Sequence, residues 1–256
     1  MPRPKFAGAV HSMPHPYGHR ARLGVIVPPT NTANEAEWAR MAPDGVTIHA
    51  ARMPLHADTG SEAGQRALYA DLENAARDLA QARVSVIAYG CTAGSLVNPV
   101  TRIAEAMTGW TGTPAVTTAQ ALVEALRALG ARRIAIATPY HDALNEHERQ
   151  FLSGQGFDVL HIAGLGIGAG GAHEYSRIIE VPLEKVYAHA LACDRAQADA
   201  LLISCTDFPT LPLIPRLEAQ LGKPVVTSNQ ATLWAALRRA GVADEVQQAG
   251  MLFARH

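Results

Sequence analysis

Cys91 and Cys205 are the residues of this 256-residue chain whose types and surroundings best suit chemistry. Each comes at the end of a short apolar run, VSVIAY (84–89) before Gly90-Cys91 and ALLIS (200–204) before Cys205. Each is followed by threonine, in Thr92-Ala93-Gly94-Ser95 and in Thr206-Asp207. A tight turn at a strand end leaves backbone N–H groups unpaired. Such groups hold a carboxylate well and lower a thiol pKa from its usual value of about 8.5. One thiolate and one thiol facing each other across a planar carbon form an acid/base pair that needs no metal or coenzyme. Two thiolates in one small cleft would repel, so ionising one raises the pKa of the other. The turn after Cys91 is built of small residues, and Asp207 stands beside Cys205. Cys91 is therefore the expected resting thiolate and Cys205 the expected thiol. Cys193, at the end of a helical stretch, reads instead as a small buried hydrophobe.

The elements needed to carry these cysteines are legible as alternating strands and helices. LGVIVP (23–28), VSVIAY (84–89), RRIAIA around 133–137, VLHI (159–162) and ALLIS (200–204) are apolar runs of strand length. Residues 62–83, 119–129, 145–153 and 183–192 have helical spacing, and Gly130 stops the second of these. Such alternation predicts mostly parallel sheets covered by helices on both faces.

An internal repeat sharpens the picture. GTPAVTTAQALVEALRALG (112–130) aligns with GKPVVTSNQATLWAALRRAG (222–241) with one inserted residue. Pro114 matches Pro224, Thr117 matches Thr227, and Gln120 matches Gln230. Each copy follows a strand that ends in Cys-Thr, and RLGVIVPPTN (22–31) pairs more loosely with RIAIATPY (133–140). A duplication brings two sets of strand ends face to face, and ligands of open α/β sheets bind just beyond such ends.

Composition excludes several partners. With 48% apolar residues, 18% charged residues and a net charge of -1, the chain has no basic surplus for nucleic acid or anionic membrane. No apolar run approaches the roughly 20 residues of a membrane span. The N-terminus lacks the apolar segment of a secretory signal. Three widely spaced cysteines suit reduced thiols in a cytoplasm. No His/Cys cluster has metal-ligand spacing, and GLGIGAGG (164–171) misses the dinucleotide GxGxxG spacing, so no cofactor is expected. That glycine-rich stretch is expected to be a mobile loop over the cleft. The histidines between His11 and His19 lie in a lead-in read as a flexible or partner-contacting arm.

Ser204-Cys205-Thr206-Asp207-Phe208-Pro209 resembles the C-terminal cysteine motif of aspartate racemases, and Tyr89-Gly90-Cys91-Thr92-Ala93-Gly94 resembles the N-terminal one. GVIVPPTN (24–31), Arg52-Met53 and Ala137-Thr138-Pro139-Tyr140 are similar to maleate cis–trans isomerases and arylmalonate decarboxylases of the same superfamily. The resemblance runs from about residue 22 to the end. It implies two pseudo-twofold-related, flavodoxin-like α/β domains with parallel sheets and the site in the cleft between them. The expected division is an arm at 1–21, a first domain at 22–117 plus 229–256, and a second at 118–228.

Carried over residue by residue, the resemblance implies Cys91 and Cys205 as the catalytic pair. Asn31 matches a carboxylate-binding asparagine, and Tyr140 matches a tyrosine that hydrogen-bonds substrate; Thr92, Ala93 and Thr206 complete the expected binding turns. Asn31 also suits a helix cap, Tyr140 could simply pack at a domain edge, and Arg52 reads as a surface residue. The relatives' further substrate-binding asparagine is missing from Gly168–His173, which implies either that His173 or Arg177 replaces it or that the substrate differs. The implied activity is cofactor-independent isomerisation of a small mono- or dicarboxylate, maleate-isomerase-like, by a homo-oligomer. Racemisation of aspartate, glutamate or a hydantoin, arylmalonate-type decarboxylation with the C-terminal cysteine alone, and carboxylate binding without catalysis are the alternatives.

Overall fold

The computed structural model describes residues 16–56 and 61–256. Most of the histidine-bearing lead-in falls on residues 1–15, outside the described residues. The first half runs β1 (Ala21–Val27), α1 (Ala33–Met41), β2 (Val46–Arg52), α2 (Glu62–Gln81), β3 (Val86–Tyr89), α3 (Thr92–Ser95), α4 (Arg102–Thr111), β4 (Ala115–Thr117) and α5 (Thr118–Ala128). The second runs β5 (Arg133–Tyr140), α6 (Asp142–Gly154), β6 (Asp158–Ile167), α7 (Leu183–Cys193), β7 (Ala200–Ile203), α8 (Ile214–Leu221), β8 (Val225–Thr227), α9 (Ser228–Arg239) and α10 (Gly250–Arg255). Short 3-10 turns occupy Ala172–Arg177 and Leu211–Leu213.

Each half forms a parallel four-stranded sheet, and the order is the same in both: β2-β1-β3-β4 and β6-β5-β7-β8. This is the expected α/β architecture with duplicated halves. The central strands are apolar on both faces because both faces are covered. Leu23, Val25, Val27, Val86 and Ala88 enter a central core, while their alternates Ile26, Ile87 and Tyr89 pack outward against Leu68, Leu72 and Met107. In the second sheet Ile134, Ile136 and Leu202 enter that same central core, while Ala135, Leu201 and Ile203 face Val186 and Leu217. One apolar core is therefore shared by the inner faces of both sheets.

The repeated sequence builds the middle of this core. α5 and α9 pack against each other there. Thr117 caps α5 by accepting the Gln120 N–H, and Thr227 caps α9 in the same way from Gln230. In α9 the Gln230 side chain also accepts the Thr227 N–H, completing a reciprocal capping box. The residues matched between the repeats thus start two helices directly after two strands, which fixes how closely the sheets approach.

Candidate active site

β3 and β7 each deliver a cysteine to one buried cavity. Its wall includes Cys91, Thr92 and Ala93 from the first half and Tyr140, Cys205 and Thr206 from the second, with Asn31 from the loop after β1. All seven sequence-expected site residues therefore meet in a single place.

Their polar contacts cross between the halves. Asn31 Nδ2 donates to Thr206 Oγ1 at 3.0 Å, and Thr206 Oγ1 donates to the Gly90 carbonyl at 3.1 Å. Asn31 Oδ1 accepts the Asn34 N–H at 3.0 Å, so Asn31 also caps the start of α1. Arg52, read from sequence as a surface residue, donates to the Asn31 carbonyl at 2.8 Å and pairs with Glu35. It holds the Asn31 loop in place from outside the cavity.

The two thiols have parallel settings. Cys91 Sγ lies 3.4 Å from the Gly94 nitrogen and within reach of the Tyr89 hydroxyl. Cys205 Sγ lies 3.4 Å from the Asp207 nitrogen and within reach of the Tyr140 hydroxyl. A Cβ at Gly94 would overlap the Tyr89 hydroxyl and come 3.1 Å from Cys91 Sγ, so only glycine leaves the first arrangement room. Cys205 adopts φ 155°, a backbone region that non-glycine residues enter at a cost of about 1–3 kcal/mol. Such strain persists only where surroundings hold it, and here the Cys205 N–H donates to Ser228 Oγ at 3.0 Å.

Burial dominates the electrostatics. It pushes the Cys91 thiol up, against the lowering effects of the Gly94 N–H and the Tyr89 hydroxyl. It pushes Cys205 up to about 12, with the charges of Asp207 and Cys91 adding to the rise and Tyr140 opposing it. The Gly94 N–H and the Tyr89 hydroxyl lower the Cys91 pKa as the turn leads one to expect, but desolvation outweighs them. The expected opposition of Asp207 to a Cys205 thiolate is present.

Several wall residues escaped the sequence reading. Leu55, Leu144, Tyr175 and Ile178 line the cavity, as does Asp207. Neither His173 nor Arg177 does; Arg177 pairs with Glu174 and is largely exposed. The 3-10 turn between them instead presents Tyr175, and Glu174 anchors the glycine-rich stretch by accepting the Gly168 and Gly170 N–H groups. Cys193 packs in the second half's outer core, with Sγ 3.8 Å from His189 Nε2, and burial raises its pKa to about 11. Among the described residues, no group of three or more His, Cys, Asp or Glu could hold a metal ion, and no helix is long and apolar enough to cross a membrane.

A duplicated parallel α/β fold that brings a cysteine from each half into one cavity defines a site for acid/base or nucleophilic thiol chemistry. The arylmalonate decarboxylase family model matches residues 23–253, and the chain belongs to that family. A maleate isomerase of Nocardia farcinica is 32% identical over 244 residues, covering 90% of this chain and 94% of the relative. An arylmalonate decarboxylase of Bordetella bronchiseptica is 33% identical over 224 residues, covering 86% and 90%. The solved structure of a cysteine-to-serine mutant of Nocardia farcinica maleate cis–trans isomerase, with a covalently bound succinylcysteine intermediate, superposes with a TM-score of 0.81. It shares 28% identity and covers 92% of this chain and 99% of that one.

Proposed function

We propose that this protein catalyses cis–trans isomerisation of a small unsaturated carboxylate, as its maleate isomerase relatives do with maleate. The observation that carries the reading is the placement of Cys91 and Cys205 in one cavity, each beside a tyrosine hydroxyl. The decarboxylase alternative needs one cysteine; here both halves supply one.

In the first step Cys91, as thiolate, adds to one alkene carbon, and the π electrons move toward the substrate carboxylate. Cys205 gives its proton to the other carbon and is left as the thiolate. The former double bond is now single and rotates. Cys205 then takes back a proton from that carbon, the C–S bond breaks, and its electron pair returns to Cys91. No net electron or proton is consumed. Asn31 and the turns at Thr92-Ala93 and Thr206 hold the carboxylate as charge develops on it. Tyr89 and Tyr140 stabilise whichever sulfur is charged.

The setting we infer is a cytoplasmic homo-oligomer without nucleic-acid or membrane partners, consistent with three free cysteines and a net charge of -1. Light scattering on the purified chain gives the copy number. The reaction is tested by proton NMR in D2O with maleate, other cis-enoic acids, aspartate, glutamate and phenylmalonate. Replacement of cis by trans vinyl signals is expected. α-Deuteration of an amino acid, or loss of carbon dioxide from phenylmalonate, without any isomerisation would replace this reading.

A further inference from the structure

Asn31 and Thr206 belong to a closed ring of buried hydrogen bonds that reaches beyond the cavity. Asn31 Nδ2 donates to Thr206 Oγ1, and the Thr206 carbonyl accepts Asn229 Nδ2 at 3.0 Å. Asn229 Oδ1 accepts Asn34 Nδ2 at 2.8 Å, and the Asn34 N–H closes the ring on Asn31 Oδ1. All four residues are buried, and neither Asn34 nor Asn229 lines the cavity.

Glu37 of α1 fixes the direction of this ring. Its Oε1 accepts the Thr210 and Leu211 N–H groups at 2.6 and 2.7 Å. Its Oε2 accepts Asn229 Nδ2 at 2.7 Å and the Thr210 hydroxyl at 3.4 Å. Every contact is with a donor, which the carboxylate form satisfies. Burial pushes the carboxyl pKa up, and these donors pull against the rise. A carboxylate only accepts, as does the Thr206 carbonyl, so both protons of the Asn229 amide point toward them. The amide oxygen is left for Asn34. The Asn34 N–H in turn occupies Asn31 Oδ1, so the end of Asn31 turned to Thr206 is its donor end. One Nδ2 proton goes to Thr206, which leaves the other to give to a carboxylate in the cavity.

We propose that Glu37 and Asn229 are positioning residues for the reaction. Through the ring they hold the donor end of Asn31 and the Thr206 turn where the substrate carboxylate and Cys205 need them. The proposal rests on the isomerase reading, in which Asn31 and Thr206 bind that carboxylate as charge develops on it. Neither Glu37 nor Asn229 touches substrate.

Glu37→Gln keeps the side-chain shape and exchanges an acceptor for a donor. The new NH2 group cannot face the Thr210 and Leu211 N–H groups, so it faces Asn229. The Asn229 amide must then turn over, which sets its oxygen against the Thr206 carbonyl. Trp38→Phe is the structural control. The buried Trp38 indole donates to the Asn229 main-chain carbonyl at 3.0 Å, and its loss leaves the ring of side chains intact.

With a cis-enoic acid as substrate, Glu37→Gln is expected to lower kcat about a hundredfold, more than it raises KM. Trp38→Phe is expected to lower the urea midpoint while kcat stays near the wild-type value. Equal losses of kcat in the two variants, or an unchanged kcat in Glu37→Gln, would overturn the proposal. Asn229→Ala removes the donor to Thr206 and keeps the Thr210 and Leu211 contacts, so it decides the same question if Glu37→Gln does not fold. Alkylation by iodoacetamide, read at each cysteine by mass spectrometry, needs no turnover. The rate at Cys205 relative to Cys91 should rise severalfold in Glu37→Gln and not in Trp38→Phe. A wild type that isomerises nothing, with this rise present, sinks the isomerase reading and supports the positioning. A ratio that does not rise sinks the positioning, whatever the wild type catalyses.

Discussion

Thr92 Oγ1 and Ser228 Oγ lie 2.9 Å apart although 136 residues separate them, and the same Ser228 oxygen accepts the Cys205 N–H. One hydroxyl at the start of α9 therefore ties the turn after Cys91 to the backbone of Cys205. It sets the spacing of the two sulfurs from a position that carries no chemistry of its own.

Replacing that hydroxyl leaves the buried Cys205 N–H without a partner. Ser228→Ala is expected to cost about 1–3 kcal/mol of stability. Turnover should fall further than that loss explains, because the strained Cys205 backbone is no longer held. Urea unfolding beside kcat measures both. Unchanged kcat would show that Ser228 has no part in placing the cysteines.

Glu148 in α6 is fully buried, with neither carboxylate oxygen hydrogen-bonded. Burial raises its carboxyl from the ordinary 4.5 to about 7, the nearby Ser204 hydroxyl opposing the rise. A folded-state pKa above the unfolded one favours the protonated fold. Its contribution is fully present below about pH 4.5 and is lost as pH rises through about 7. The full difference is roughly 3 kcal/mol. Glu148→Gln is expected to flatten this fall and to raise the urea midpoint above wild type at pH 8. An identical pH slope in the two proteins would remove Glu148 as its source.

How far the sequence reached follows from which contacts are local. The cysteines, their turns and the repeated Thr-x-x-Gln starts were legible because each depends on a short stretch: an apolar strand, a small-residue turn, a helix cap. Asn31 was readable both as cap and as site residue, and the structure uses it as a cap that also bonds Thr206 across the cleft. Ser228, Leu144, Tyr175 and Ile178 were not legible. Nothing in the spacing of a serine beginning a helix, or of a tyrosine in a polar turn, says what lies opposite after two halves dock. The burial of the Cys91 thiol was not legible for a related reason: the turn donors are local, but the burial that outweighs them comes from the whole fold.

Tyr140 tests the proton-handling half of the mechanism. Its hydroxyl lowers the Cys205 pKa against burial, so removing it makes the Cys205 thiolate harder to form. Tyr140→Phe is expected to lower kcat by about a hundredfold. The falling limb of the kcat–pH profile, which reports loss of the Cys205 proton, should move to higher pH, with KM changing little. A loss confined to KM would make Tyr140 a binding group only.

The cysteine pair itself is tested most directly by turnover of three single variants on a cis-enoic acid, followed by the growth of the trans vinyl signal. Cys91→Ser and Cys205→Ser should each lose nearly all activity, while Cys193→Ser, altered in the outer core away from the cavity, should keep it. A dead Cys193→Ser, or a Cys91→Ser that still turns over, would contradict the two-cysteine account.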